Sequence, residues 1–112
     1  MQAQYPGALH ELGAAQLIEG YRRRDFSPVE VMQAVLGHVE RWEQHVQALY
    51  LLRPELALAQ ARESEQRWMD NVPLGLLDGV PAPIKDNIAT RGDPTPLATR
   101  AADLVPAAAD AP

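Results

Sequence analysis

The sequence predicts an α/β protein that is helical at first, with strands that are few and short. Three observations carry this reading. Apolar residues recur at helical spacing in three stretches, about 10–23, 27–43 and 54–70; two short apolar runs, about 46–52 and 79–85, suit strands; and clusters of Gly, Pro, Asp and Asn separate the pieces.

Residues 1–8 read as a flexible lead-in, and 9–112 as part or all of a single domain. In the first helix Ala14, Leu17, Ile18 and Tyr21 form one stripe at i, i+3, i+4 and i+7. Ser27-Pro28-Val29-Glu30 then combines an N-cap serine, a proline at the first helical position and a glutamate three residues after the cap. The second helix carries Met32, Val35, Leu36, Val39 and Trp42 on one face, which must pack on another element, most simply the first helix. Val46 to Leu52 reads VQALYLL, too short and too apolar for a surface helix; a buried strand is favoured, with a helix extension left open by periodicity. Pro54 suits the first turn of a third helix, where Ala57, Ala61 and Ser64 give a small-residue face ending in the anchor Trp68.

Composition narrows the class. Hydrophobic content of 46% with 22% charged residues describes a globular chain, while ten prolines and an Ala/Pro-rich tail predict loose ends. A net charge of -5 gives no electrostatic reason to bind nucleic acid or anionic lipid, so neither nucleic acid nor membrane is expected as a partner. Arg22-Arg23-Arg24, the basic cluster, reads either as a helix C-terminal turn matched to the dipole or as a small anion site. The absence of cysteine excludes disulfides and thiolate metal sites and fits a reducing compartment. With no signal-peptide pattern and no membrane-length apolar run, a soluble cytoplasmic protein is expected. His10, His38 and His45 share no ligand spacing, so no metal and no cofactor is expected.

The chemistry is concentrated in Gly75 to Thr95, GLLDGVPAPIKDNIATRGDPT. Asp78-Gly79 signals a tight turn, Val80, Ala82 and Ile84 alternate with Pro81 and Pro83, and Lys85 closes the run. A lysine at a strand end can be walled in by apolar neighbours, which lowers its pKa and makes it usable as a base. Otherwise Lys85 and Asp86 form an ordinary solvated charge pair. Asp86 and Asn87 are read as structural, Asn87 bonding turn backbone and Asp86 pairing with Lys85 or Arg91.

Leu77-Asp78-Gly79-Val80-Pro81-Ala82-Pro83-Ile84-Lys85-Asp86-Asn87-Ile88, followed by Gly92-Asp93-Pro94-Thr95, resembles the first motif of the amidase signature family. That motif runs leucine, any residue, glycine, isoleucine or valine, proline, then lysine-aspartate, and later glycine-leucine-proline-threonine. The resemblance extends from about His10 to the last residue, loosely in the helices. It implies a large α/β domain around a mixed sheet, of which this chain covers the N-terminal helical region and the first strands, incomplete. It also implies hydrolysis of a small-molecule amide by a serine, cis-serine, lysine triad, with Lys85 aligned to the catalytic lysine.

Two departures matter. The only serines are Ser27, an N-cap, and Ser64, on a helix face, and neither sits in a glycine-rich serine motif. The chain is therefore expected to be an N-terminal fragment, inactive by itself. In Thr95 to Arg100, TPLATR, Pro96, Ala98 and Thr99 stand where the family has threonine, glycine and serine; if Ala98 takes the positive φ of that glycine, the loop is strained. The alternatives are a non-catalytic helical interaction module and part of the A subunit of a glutamyl-tRNA amidotransferase, whose lysine motif looks similar. Exposed strand edges would permit self-association.

Overall fold

The computed structural model describes residues 7–99 and 103–112; the lead-in up to residue 6, and Arg100 of the TPLATR stretch, lie outside the described residues. The chain divides into two compact units, one ending at Pro81 and the other running from Ala82 to Pro112.

The first unit holds a 3₁₀ turn, Leu9–Glu11, and three helices: α1, Ala14–Arg23; α2, Pro28–Val46; and α3, Pro54–Met69. Each begins or ends where its sequence dictates. Gln16 reaches back to accept from the Gly13 N–H at 2.9 Å, opening α1. That helix stops at Arg24, which turns left-handed at φ 61° while its N–H bonds the Gly20 and Tyr21 carbonyls. The capping box of α2 forms as read: Ser27 Oγ accepts from the Glu30 N–H and Glu30 Oε2 accepts from the Ser27 N–H, both at 3.2 Å. Such a cap is worth about 1 kcal/mol.

The core gathers Leu12, Leu17, Tyr21, Phe26 and Val31, with Leu9, Ile18, Val35, Trp68 and Val80 packed around it. Tyr21 meets Phe26 edge-on at 5.7 Å and Trp68 at 5.9 Å between ring centroids. Phe26 lies against Gly20, so closely that a Cβ there would fall within the ring. Ala61 and Ser64 of the small-residue face are buried, as their spacing implied. The neighbours that lie closest along α2 are α3 and the 3₁₀ turn rather than α1, contrary to the simplest expectation. Arg22 and Arg23 both pair with Glu19, and Arg24 donates to the Met69 carbonyl at 2.9 Å. Arg22 and Arg23 thus sit in the last turn of α1, as the dipole reading held, while Arg24 serves the end of α3.

The expected strands are not formed among the described residues. Instead of ending near residue 43, α2 runs to Val46; Gln47 closes it at φ 48°, and the Glu43 carboxylate takes the N–H groups of Ala48 and Leu49 at 2.7 Å each. The start of the 46–52 run is therefore held as a helix terminus, and Leu49, Tyr50, Leu51 and Leu52 stay exposed, as do Trp42, Val46 and Leu56. The 79–85 run has no partner strand either, and a strand persists only as part of a ladder. The regular elements among the described residues are helices, and the described residues do not form the sheet that the family resemblance implies.

The second unit is irregular. A bridge joins Arg91 to Ala107 in parallel sense. Gly92 N–H bonds the Ala107 carbonyl, Ala107 N–H the Asp93 carbonyl and Ala111 N–H the Ala89 carbonyl, each at 2.8 Å. Asp110 Oδ1 accepts from the Arg91 N–H at 2.7 Å. Residues 107–111 of the tail, expected to be loose, are laced to residues 89–93. Among the described residues no helix is long and apolar enough to cross a membrane.

Candidate active-site lysine motif

The boundary between the two units falls inside the motif: Leu77 to Pro81 belong to the first and Ala82 to Ile88 to the second. Each half is organised by one aspartate.

In the first half this is Asp78, whose side chain is only 2% exposed. Its carboxylate accepts from Arg67 Nε and Nη2, both at 2.7 Å, from the Ser64 hydroxyl at 2.7 Å and from the Leu74 N–H at 2.9 Å. The Arg67 guanidinium, helped by the Leu74 amide and the Ser64 hydroxyl, outweighs the cost of burial and holds this carboxyl well below the usual carboxylate range. The backbone is gripped as well: Trp68 Nε1 donates to the Asp78 carbonyl at 3.0 Å and the Tyr21 hydroxyl to the Gly79 carbonyl at 2.7 Å. Burial first, and then the charge of Asp78, push the Tyr21 hydroxyl above its ordinary range. Gly79 adopts φ +90°, and a Cβ on it would stand 2.7 Å from Ser64 Oγ, 3.0 Å from Tyr21 Cε2 and 3.1 Å from Pro28 Cγ. Sequence reasoning saw only a turn at Asp78-Gly79. The available hint was Ser64, Arg67 and Trp68 at i, i+3 and i+4 of one helix, a polar edge with nothing local to satisfy it.

In the second half Lys85 is exposed, which corrects the expectation of a lysine walled in by apolar neighbours. Its carbonyl closes a turn by accepting from the Ile88 N–H at 3.0 Å, and among the described residues its amine is in no ion pair. An open groove of about 390 Å³ is lined by Ala14, Ile18, Leu76 and Leu77 of the first unit and does not include Lys85. Asp86 is half-buried and pairs with neither Lys85 nor Arg91; its Oδ2 accepts from the Ala98 N–H at 2.8 Å. Ala98 takes φ 63° and Leu97 φ 50°, so the positive φ anticipated at Ala98 is present and extends to its neighbour. Asn87 is exposed. Ser27 and Ser64 are both committed, one to its cap and the other to Asp78. No group of three or more metal-ligating side chains occurs among the described residues.

An amidase family model matches residues 30–112, most of the chain and the whole lysine motif. The chain belongs to the amidase family. Relatives of this amidase chain include the A subunit of the glutamyl-tRNA(Gln) amidotransferase of Natranaerobius thermophilus, 37% identical over 99 residues that cover 88% of this chain and 20% of that protein. The protein of the same name from Methylococcus capsulatus is 37% identical over 95 residues, 85% of this chain and 19% of its own. The mitochondrial counterpart of Aedes aegypti is 40% identical over 85 residues, 76% of this chain and 17% of its own. The chain spans about a fifth of the length of these curated relatives. No solved structure matches it.

Proposed function

We propose that this chain provides the lysine-bearing part of an amidase that cleaves carbon–nitrogen amide bonds, with Lys85 as the base of a serine, cis-serine, lysine relay. The observation that carries the reading is the family match across residues 30–112, which encloses Lys85 and Asp86. In such a relay the lysine amine accepts the proton of a bridging serine, which takes that of the nucleophilic serine as its oxygen attacks the amide carbonyl. When the tetrahedral adduct collapses, the C–N bond breaks and the proton passes to the leaving amine.

The relay needs hydroxyls that Ser27 and Ser64 do not offer, since both are engaged elsewhere. It also needs an unprotonated amine, the form that enclosure away from water favours. The proposal therefore has further chain or a partner covering Lys85 and bringing both serines, in the cytoplasm and without a cofactor. The 112-residue chain alone is expected to be inert on simple aromatic and aliphatic amides. A version extended to the length of the relatives is expected to hydrolyse them and to lose at least about a thousandfold in kcat with Lys85→Ala. Hydrolysis by the short chain, or by a long Lys85→Ala chain, would overturn the proposal.

A second reading, part of the A subunit of an amidotransferase, is supported by the names of the relatives. Under it the substrate involves glutamyl-tRNA(Gln), and the expectation of no nucleic-acid partner fails. Amide hydrolysis by the extended chain that rises only when glutamyl-tRNA(Gln) is added separates this reading from the first.

A further inference from the structure

We propose that Asp86 is a positioning residue for Lys85: its carboxylate, bound to the Ala98 amide, is kept away from the neighbouring ammonium and ties the lysine segment to the turn at 97–98. The proposal rests on Lys85 being the base, but the arrangement itself can be tested without activity. Adjacent lysine and aspartate side chains in water ordinarily share at most a weak charge pair. Here the carboxylate instead takes a backbone N–H at 2.8 Å, a charge-assisted bond with defined geometry.

That amide is presented by an unusual backbone. Leu97 and Ala98, both with side chains, lie at φ 50° and 63°, a region that residues other than glycine avoid unless neighbouring structure holds them there. The Asp86 bond is one such hold. On the other side, the Ile88 N–H bond to the Lys85 carbonyl fixes the turn from which the lysine projects. Two further carboxylates of this unit are likewise occupied, Asp93 by the Thr90 hydroxyl at 3.1 Å and Asp110 by the Arg91 N–H at 2.7 Å. The consequence is chemical. A carboxylate free to reach the Lys85 amine would favour its protonated form, whereas a base has to be available unprotonated.

Lys85 is the only lysine in the chain, so acylation of its peptide, followed by mass spectrometry after limited acetic anhydride treatment, reports on this amine alone. Ala98→Pro removes the N–H that Asp86 binds and, because proline cannot hold φ 63°, also opens the 97–98 turn, so the carboxylate is freed on both counts. Lys85 acylation is expected to slow by up to about fivefold, the range of an exposed ion pair, and to recover when Asp86→Asn is added. Amide exchange gives an independent readout. The Ala98 N–H is expected to exchange about tenfold faster or more in Asp86→Ala than in the parent chain, with most of the protection retained in Asp86→Asn, whose carbonyl still accepts. Equal Ala98 exchange in the parent and Asp86→Ala chains, or acylation that neither slows in Ala98→Pro nor recovers in the double variant, would overturn the proposal. Failure of the catalytic reading shows up separately, as amide hydrolysis surviving Lys85→Ala with the Ala98 tether intact.

Discussion

Asp78→Ala is expected to destabilise the first unit by about 3 kcal/mol, read as a fall in denaturant midpoint at unchanged slope. The substitution leaves the Arg67 guanidinium and the buried Ser64 hydroxyl without the acceptor that both face at 2.7 Å. Removing the acceptor of a partly buried ionic network costs more than the network contributes as a whole, because the Ser64 hydroxyl stays desolvated while Arg67, 27% exposed, regains water only in part. The same carboxylate sets a pH profile. Its folded pKa lies below the unfolded value of about 3.9, so its contribution is complete above that value and is lost as pH falls below about 4. Tyr21 acts at the opposite end: its hydroxyl is raised, so its contribution is intact below about pH 10 and is lost as pH climbs beyond. Asp78→Asn should remove the acid limb and weaken the alkaline one, leaving the part that burial of Tyr21 sets. A change below about 0.5 kcal/mol in Asp78→Ala would show that the network does not carry the unit.

Gly79→Ala is expected to be comparably damaging, about 3 kcal/mol, from two independent causes. A residue with a side chain is strained at φ +90°, and its Cβ would intrude among Ser64, Tyr21 and Pro28. Ser64→Ala removes the nearest of these atoms, so adding it to Gly79→Ala should recover part of the steric cost, Tyr21 Cε2 and Pro28 Cγ remaining at 3.0 and 3.1 Å, and leave the conformational part. An unchanged denaturant midpoint in Gly79→Ala would contradict both causes together.

The helices were legible because their signals are local. Ser27, Pro28 and Glu30 mark the start of α2 within four residues, and Pro54 marks that of α3. The end of α2 was not legible, since it depends on the Glu43 side chain bending back to Ala48 and Leu49. Val31, wholly buried, was not among the residues named for the apolar face, although it stands one turn before Val35. The Asp78 cluster was invisible for a different reason. Its members come from α1, α3 and the turn after α3, so only folding brings them together. At Lys85 the motif was readable as a family signature, but its surroundings were not, because burial is a property of neighbours rather than of the residue itself.

The exposed run from Leu49 to Leu52 has a calorimetric consequence. Heat capacity rises on unfolding because apolar surface newly meets water, and these side chains are already partly hydrated in the native state, 37% to 53% exposed. Their exposure adds less to the transition than that of buried side chains, so the heat-capacity increment per residue should fall below the usual range of about 12–15 cal/mol/K. The stability curve is then flatter than that of a fully packed domain, and a scanning-calorimetry increment at or above the ordinary value would mean that the run is sheltered in solution.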